Sequence, residues 1–377
     1  MTRPSKMTRR QGLGVIAGGV AMLSRPLSGM AATQPSSLSA LAAAKGMRFG
    51  SAVAGGGGGS WRNPALADLL RRECAILVAE NEMKWQAIRP SPTSFDFAAF
   101  DAIAAFAAQN RMKLRGHTLL WHRPKWMPRW LESHDFGSRS ATSAAAMMTN
   151  HVETICARFQ GRIVSYDVVN ETVLPEDGSL AETALSKAMG GTEALVDLAF
   201  HTARKAAPGV ELVCNDYMSW EPGNALHRKG VLRLLEGFRK RGTPVDALGV
   251  QSHLIAPLPD AAHRREWQRF VDDVVAMDYK LVVTEFDVRD RDLPVDIPSR
   301  DRTVADTTKA YFEMMLDYPQ LKDVLAWGLV DAYSWLQGYE PRADKAEARG
   351  CLYDSAFKPK PVHAALAQAF AEARPRT

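Results

Sequence analysis

The sequence has few cysteines, and its cysteines and histidines form no pattern that would bind a metal ion. The four cysteines are far apart along the 377 residues, without the short spacings of zinc sites: Cys74, Cys156, Cys214 and Cys351. His117 and His122 would point to opposite faces of a strand, because successive side chains alternate. The sequence therefore predicts neither a metal nor a cofactor, which argues against a metal-dependent hydrolase. It leaves open whether the cysteines pair or remain buried free thiols.

The N-terminal segment lacks acidic residues, and its apolar run is too short to span a membrane. Residues 1–32 contain five basic residues, among them the pair Arg9 and Arg10. The apolar run at 13–23 is shorter than the roughly 20 residues that a spanning helix needs. With small residues at 29–32 as a cleavage site, this arrangement is typical of a bacterial twin-arginine signal peptide. It predicts export to the periplasm or the cell exterior; a disordered basic N-terminus is the alternative.

Beyond that segment the chain lacks an excess of either charge. The whole sequence has 47 Lys and Arg against 42 Asp and Glu, and the excess of five equals the number of basic residues in 1–32. The sequence therefore gives no reason to expect nucleic-acid binding or stable membrane insertion. We expect the exported chain to be a monomer. Tryptophan is frequent instead, with nine residues, and aromatic rings suit the apolar faces of sugars.

No Gly-x-Gly-x-x-Gly motif follows the first predicted strand, which argues against a doubly wound sheet. The five glycines at 55–59 are expected to form a flexible loop. Apolar runs of strand length begin near residues 47, 75, 113, 163, 210, 247, 280 and 324. Helical patterns lie between them, at 97–109, 143–159, 192–206, 225–241, 264–277 and 303–318. Eight such units predict a single-domain α/β protein, a (β/α)₈ TIM barrel over residues 46–377, after a linker at 33–45.

Two of the apolar runs end on a glutamate. One reads Val-Val-Asn-Glu and ends at Glu171; the other reads Val-Val-Thr-Glu and ends at Glu285. The carboxyl ends of barrel strands meet at one edge, and that edge carries the functional residues. Two carboxylates there are the groups that cleave a glycosidic bond, although each glutamate alone is equally explained as the point where its strand reaches water. Polar or aromatic residues at seven of the eight strand ends favour a functional cleft.

Seven segments, in order along the chain, carry a resemblance to a known family. They are Ala79-Glu-Asn-Glu-Met-Lys-Trp85, Arg115-Gly-His-Thr-Leu-Leu-Trp-His122, Tyr166-Asp-Val-Val-Asn-Glu171, Asn215-Asp-Tyr217, Gly249-Val-Gln-Ser-His253, Thr284-Glu285 and residues 327–335. From about residue 46 to the C-terminus, the chain resembles the endo-β-1,4-xylanases of glycoside hydrolase family 10. Any one segment is a weak signal, but seven in the right order are a specific one.

The resemblance implies an activity and a set of site residues. It implies retaining cleavage of internal β-1,4 bonds of xylan or xylo-oligosaccharides without a metal. Glu171 would be the acid/base and Glu285 the nucleophile. The resemblance also implies that the nearest sugars are lined by Glu80, Asn81, Lys84, His117, Trp121, Gln251, His253, Trp327 and Trp335.

The residue types also indicate how the two glutamates would work. We expect the negative charge of Glu285 to raise the pKa of Glu171 and keep it protonated as the acid. His253 is the expected hydrogen-bond donor to Glu285. Asp287, two residues further along the same strand face, would orient that histidine. Asn170 is expected to hydrogen-bond the 2-hydroxyl of the sugar.

The remaining aromatic residues and histidines have simpler expected roles. Trp327 and Trp335 are expected to wall the cleft over a sugar ring, and Trp85 to pack beneath it. Tyr217 is expected either to contact one of the two carboxylates or to pack. Ordinary surface or packing roles are expected for the histidines in helices or loops: His134, His151, His201, His227, His263 and His363.

The segment after Trp121 departs from the family pattern. A glutamine that contacts the neighbouring sugar is replaced by Pro124, which has no side-chain donor. Arg123, Lys125 or Trp126 is expected to substitute for it, and a basic group there would favour acidic sugar decorations. This departure leaves open a related β-1,4-glycanase or an aryl-β-glycosidase. A non-catalytic glycan-binding barrel is a further alternative, against which the presence of both glutamates argues.

Overall fold

The computed structural model describes residues 37–55 and 60–376. The predicted signal peptide at 1–32, and the glycine run except Gly55, lie outside the described residues. Residues Ser37–Thr377 form one compact unit, which contains the barrel and the cleft.

A closed barrel of parallel strands is the core of this unit. The strands found in the described residues are β1 (Arg48–Val53), β2 (Ile76–Ala79), β3 (Lys113–Trp121), β4 (Ile163–Asn170), β5 (Glu211–Asp216), β6 (Ala247–Val250), β7 (His253–Ile255), β8 (Lys280–Arg289) and β9 (Leu321–Ala326). Strands β1 to β6 pair in sequence, β1 also pairs with β9, and β9 with β8. Pairing of β6 with β8 closes an eight-stranded ring, and β7 pairs with β8 outside it. The predicted (β/α)₈ fold is confirmed.

Helices connect successive strands, as the parallel pairing requires. Within the described residues they are α1 (Leu38–Ala43), α2 (Pro64–Glu73), α3 (Trp85–Ile88), α4 (Ala98–Gln109), α5 (Arg129–Glu132), α6 (Ser140–Arg158), α7 (Ala184–Met189), α8 (Thr192–Ala206), α9 (Ala225–Arg241), α10 (Ala261–Ala276), α11 (Ile297–Met315), α12 (Leu336–Tyr339) and α13 (Pro361–Glu372). Their ends follow local chemistry. Asn63 caps α2 ahead of Pro64, and α9 ends at Gly242 in the left-handed conformation, with φ 71°.

Apolar side chains pack on both faces of the barrel strands. The larger layer packs between the outer faces of the strands and the helices. A smaller cluster contains alternate residues of several strands, among them Ala52, Val78, Val213, Val282 and Leu325, and this alternation assigns it to the barrel interior. Because strand residues are buried on both faces, their runs are continuously apolar rather than alternating. This explains why the strands are visible in the sequence.

The prediction of a linker at 33–45 is wrong for Leu38–Ala43, which is helical. Residues Leu38–Ala43 form α1, which packs against α13 and β1. Leu38 and Ala42 are fully buried, and the Leu38 N–H donates to Glu73 Oε2 at 2.8 Å. The boundary of the folded unit is therefore Ser37 rather than residue 46. The alanine-rich sequence hid this helix, because it has only two turns and a narrow apolar face.

Among the described helices, none combines the length and apolar character needed to cross a membrane.

Candidate active site

A cleft at the carboxyl ends of the strands brings together all thirteen residues predicted for the site. Its volume is about 620 Å³, within the range of ligand-binding pockets. The predicted residues that line it are Glu80, Asn81, Lys84, His117, Trp121, Asn170, Glu171, Tyr217, Gln251, His253, Glu285, Trp327 and Trp335. The other lining residues are Gln86, Arg123, Pro124, Lys125, Trp126, Arg289, Tyr339 and Glu340.

Irregular strand pairing precedes both central glutamates. Strand β4 changes register against β5 after Asp167, and β8 changes register against β9 after Val283. Such β-bulges redirect side chains and are frequent next to active sites. Glu171 itself has a left-handed backbone, with φ 56°, and its N–H donates to the Asn215 carbonyl at 2.9 Å. Strict strand alternation would therefore not describe this edge of the barrel.

Side-chain amides connect the two glutamates. Gln251 Nε2 donates to Glu171 Oε1 at 3.1 Å and to Asn170 Oδ1 at 3.3 Å. Asn215 Nδ2 donates to the same Asn170 oxygen at 2.9 Å and to Glu285 Oε1 at 2.7 Å. The Asn170 oxygen thus accepts two hydrogen bonds from protein, which leaves its amide N–H groups for a ligand in the cleft.

Glu285 is buried and surrounded by donors and positive charge. His253 Nε2 lies 3.3 Å from its Oε2, and His117 Nδ1 lies 4.0 Å from its Oε1. Burial alone would raise the pKa of Glu285. The hydrogen bond from His253 and the attraction of His117, His253 and Lys84 outweigh burial and lower this pKa to about 2. Glu285 is therefore a carboxylate at any pH in ordinary use.

His253 is held by Asp287 on its other side. Asp287 Oδ1 lies 2.8 Å from His253 Nδ1, and Asp287 Oδ2 accepts from Trp335 Nε1 at 2.6 Å. Burial lowers the pKa of His253, but the Asp287 charge, its hydrogen bond and Glu285 together raise it to about 9. The imidazolium then donates from both nitrogens, one to each carboxylate. His253 therefore lies between Asp287 and Glu285, as its predicted role as a donor oriented by Asp287 requires.

The pKa of Glu171 is shifted in the opposite direction to that of Glu285. Burial raises its pKa, the charges of Asp216 and Glu285 add to this, and the hydrogen bond from Gln251 opposes it. The charge of Glu285 thus acts in the expected direction, and burial is the larger cause. A buried carboxyl next to an ionised one still forms the unequal pair that acid and nucleophile chemistry needs.

A second group of polar and aromatic residues forms the wall next to Glu285. Lys84 Nζ donates to Asn81 Oδ1 at 3.0 Å and lies 4.4 Å from the centre of the Trp121 ring and 5.9 Å from that of Trp327. Burial lowers the pKa of Lys84, against the pull of the surrounding carboxylates, and burial raises the pKa of Glu80. This wall offers several donors above an aromatic surface, as a polyhydroxylated ring requires.

His117 is fixed from below by an ion pair in the barrel. Its Nδ1 lies 2.9 Å from Asp167 Oδ2, and Arg115 donates to the other oxygen of that carboxylate. The His117 ring also packs edge-on against Trp327, with 5.4 Å between ring centres. These contacts hold the imidazole and leave Nε2 for a hydroxyl group in the cleft.

Tyr217 lines the cleft but hydrogen-bonds neither glutamate in the described residues. Arg123 Nη2 donates to the Tyr217 hydroxyl at 2.9 Å and to the Val173 carbonyl at 2.7 Å. The open expectation for Tyr217 resolves to packing and to this contact. The contact occurs because Arg123, which follows β3, extends to Tyr217, which follows β5.

Comparison with known proteins decides the family. The sequence matches the model of Glycosyl hydrolase family 10 over residues 37–369. The chain belongs to glycosyl hydrolase family 10. The resemblance inferred from the seven segments is thus confirmed, and the chain is a glycoside hydrolase.

Several relatives in this family cover most of the chain. Endo-1,4-beta-xylanase B of Thermotoga neapolitana is 28% identical over 81% of this chain and 83% of its own length. Endo-1,4-beta-xylanase 5 of Pyricularia oryzae is 31% identical over 80% of this chain and 70% of its own length. Xylanase 10B of Thermotoga maritima has a TM-score of 0.78 with 28% identity, covering 89% of this chain and 98% of its own. Xylanase 10B of Thermotoga petrophila, solved with xylobiose, has a TM-score of 0.79, 27% identity and the same coverage.

The departure from the family pattern after β3 has a defined geometry. Pro124 begins a single 3₁₀ turn that carries Lys125 and Trp126 into the cleft wall. The Trp126 ring stacks on Trp121, with 4.6 Å between ring centres and 15° between planes. Lys125 Nζ lies 4.6 Å from the Trp126 ring centre and 5.7 Å from that of Tyr339. Trp126 and Lys125 thus form an aromatic and basic part of the cleft wall next to Trp121.

Several functional positions were missed from the sequence. Asn215 was noted only as part of a motif, although within the described residues it donates the shortest hydrogen bond that Glu285 accepts. Arg289, Tyr339 and Glu340 also line the cleft, with Arg289 paired to Glu340 at 3.4 Å. No spacing in the sequence marks these residues. Only the position of Arg289 at the end of a strand could have indicated its role.

Elsewhere the expected packing roles hold. Trp85 is buried beneath the site and stacks on His151, with 3.8 Å between ring centres.

All four cysteines are buried and free. Within residues 37–55 and 60–376, no group of three or more His, Cys, Asp or Glu side chains is arranged to hold a metal.

Proposed function

We propose that this family 10 hydrolase is an exported, retaining endo-β-1,4-xylanase that acts as a monomer, with Glu171 as the acid/base and Glu285 as the nucleophile. The observation that carries the proposal is the opposite protonation tendency of the two glutamates. Glu285 has a pKa of about 2, and the pKa of Glu171 is raised. One ionised and one protonated carboxyl in a single cleft are required for cleavage of a glycosidic bond. The retaining outcome is proposed from membership of glycosyl hydrolase family 10.

In the first step Glu285 attacks the anomeric carbon and Glu171 gives its proton to the departing glycosidic oxygen. His253 and Asn215 keep Glu285 ionised and direct its oxygens. The free amide of Asn170 hydrogen-bonds the 2-hydroxyl of the sugar, a contact that strengthens as positive charge develops on the ring. The product of this step is a glycosyl ester on Glu285.

In the second step Glu171 takes a proton from water, and the resulting nucleophile releases the sugar from Glu285. The negative charge of Glu285 is absent while the ester exists, which favours the ionised form of Glu171. We therefore expect the pKa of Glu171 to fall while the ester exists, which suits Glu171 to act as the base. The two inversions leave the anomeric configuration of the sugar unchanged.

The substrate proposal rests on the relatives and on the cleft. The relatives named above are xylanases, and one was solved with xylobiose. Indole rings at Trp121, Trp327 and Trp335 supply flat apolar surfaces for sugar rings. Replacement of the family glutamine by Pro124 favours a second candidate, a related β-1,4-glycanase or aryl-β-glycosidase. Both functions use the same two glutamates.

The deciding experiment is sugar release from glucuronoxylan, arabinoxylan and soluble cellulose by the wild type and Glu285→Gln. We expect cleavage of both xylans and a loss on the order of 10³-fold or more in the variant. Glu236→Gln, on the outer face of α9, is the matched control and should retain full activity. Proton NMR of the first product should show the β-anomer.

Measurement of this activity in the cytoplasm, periplasm and medium of the producing cells tests the proposed export. Activity confined to the cytoplasm contradicts the signal peptide. Release of glucose chains from cellulose without cleavage of xylan contradicts the substrate, and a fully active Glu285→Gln variant contradicts the mechanism.

A further inference from the structure

Four lysine and arginine side chains line the cleft in the described residues, and three of them already have polar or charged partners. Lys84 lies among the carboxylates of the site and donates to Asn81. Arg123 donates to Tyr217 and to a backbone carbonyl. Arg289 pairs with Glu340 at 3.4 Å. The fourth, Lys125, is exposed and has neither an ion pair nor a hydrogen bond within the described part of the chain.

Lys125 is nevertheless held in position. Its ammonium lies 4.6 Å from the Trp126 ring centre and 5.7 Å from that of Tyr339, and such contacts fix a cation without neutralising its charge. Trp126 in turn stacks on Trp121, and Tyr339 packs on Trp335 with 5.0 Å between ring centres. A chain of aromatic contacts on either side therefore supports this ammonium.

The contact between Lys125 and Tyr339 crosses the mouth of the barrel. Lys125 follows β3 and Tyr339 follows β9, and β1 and β2 lie between these strands in the sheet. The residues after β2 include Glu80 and Asn81, which line the cleft. The exposed ammonium of Lys125 thus lies on the side of the cleft that carries these residues, where we expect a substituent on a bound chain to project.

We propose that Lys125 is a specificity residue that binds the carboxylate of a uronic acid branch on the xylan chain. The inference rests on the proposed function and names a substrate class for the same site. A neutral sugar branch gains only a hydrogen bond from an ammonium, whereas a carboxylate gains a charge-assisted one. Glu340, a carboxylate that also lines the cleft, is paired with Arg289. Arg123, the other basic candidate, is half-buried, and its Nη2 already donates to Tyr217 and to the Val173 carbonyl.

The test compares two polymers that differ only in this carboxylate: glucuronoxylan and the same glucuronoxylan after chemical reduction of its carboxyl groups. Kinetics are measured for the wild type, Lys125→Met, which keeps length without charge, and Lys125→Arg, which keeps charge. Lys113→Met, at the opposite end of β3 and also exposed, is the matched control. Linear xylohexaose is the substrate without branches.

We expect the wild type to prefer the acidic polymer, and Lys125→Met to lower the ratio of the two kcat/KM values by about two- to fivefold, the range for a solvent-exposed ion pair. Lys125→Arg should keep most of the preference, and 0.5 M salt should weaken it. The ratio is expected to be unchanged in Lys113→Met. Equal losses on both polymers and on xylohexaose would overturn the role of Lys125, while cleavage itself would uphold the proposed function. No cleavage of any xylan by the wild type would overturn both.

Discussion

At the scale of single residues, the Asp287–His253–Glu285 chain controls the charge of the proposed nucleophile. Asp287 raises the pKa of His253 to about 9, and the protonated histidine helps lower the pKa of Glu285 to about 2. The effect passes through two hydrogen bonds, at 2.8 Å and 3.3 Å. Asp287 is thus a positioning residue, because it acts on Glu285 only through the imidazole.

Replacement of Asp287 by Asn should therefore change the pH dependence of catalysis. Because Glu285 must be ionised, the acid limb of the wild-type kcat/KM profile should fall as the pH drops towards about 2. Because Glu171 must be protonated, the basic limb should fall as the pH rises through the raised pKa of Glu171. In Asp287→Asn, His253 loses its charge partner, the pKa of Glu285 rises, and the acid limb should move to higher pH. We expect a loss of roughly 10- to 100-fold in kcat/KM at the optimum.

Asp292→Asn, on the exposed loop after β8, is the control for this experiment. Its profile should match the wild type. A purely structural role of Asp287 would lower kcat/KM equally at all pH values, so an unmoved acid limb argues against the charge chain.

At the scale of secondary-structure elements, α1 should stabilise the barrel although it lies outside the strand–helix repeat. Leu38 is fully buried and its N–H donates to Glu73, whose carboxyl also accepts from Tyr353 at 3.0 Å. Leu38→Ala should lower the free energy of unfolding by about 2–5 kcal/mol, as expected for removal of a buried leucine side chain. Ala40→Ser, at an exposed position of the same helix, should change it little. Urea unfolding curves of both variants provide the measurement, and equal midpoints contradict a packed α1.

Most of the larger elements were predictable from sequence. Every predicted strand start lies within three residues of the observed one, and the helices at 192–206 and 225–241 have the predicted bounds. Continuous apolar runs and long amphipathic periods are strong local signals. Helices of four to six residues, such as α3, α7 and α12, carry too few periods to be distinguished from loops.

The site was predictable as far as its residues follow strands directly. Most of the thirteen predicted residues lie at strand ends or just after them, where the topology alone brings them together. His117 and Glu285 lie within β3 and β8, and Trp335 lies nine residues after the end of β9. The contact of Lys125 with Tyr339 joins segments more than 200 residues apart, and that of Arg123 with Tyr217 joins two different strand ends. The bulges before Glu171 and Glu285 depend on pairing between strands. Such features follow from tertiary packing, which single-sequence patterns do not contain.

At the scale of the whole molecule, buried histidines whose pKa values are shifted in opposite directions should set the pH at which the fold is most stable. Burial, aided by Arg123, lowers the pKa of His122 to about 3, and burial also lowers that of His151. Below pH 6.5 the unfolded chain binds protons at both residues that the folded chain does not, so stability falls as the pH drops. His253, with a raised pKa of about 9, keeps a proton that the unfolded chain loses, so stability falls between pH 6.5 and 9.

Stability should therefore be greatest near pH 6.5, each histidine contributing up to about 1.4 kcal/mol per pH unit on its side. Asp331 opposes this fall on the acid side, because burial raises its pKa to about 6 and its folded-state proton stabilises the fold below that pH. Burial also raises the pKa values of Glu80, Glu171 and Glu211, which act in the same direction.

His122→Gln should flatten the acid side further, whereas His201→Gln, on the exposed face of α8, should leave it unchanged. Unfolding midpoints measured from pH 4.5 to 9 provide the check. A midpoint that keeps rising from pH 6.5 to 8 contradicts a charged His253, because a histidine that holds its proton in the folded state makes stability fall over that interval.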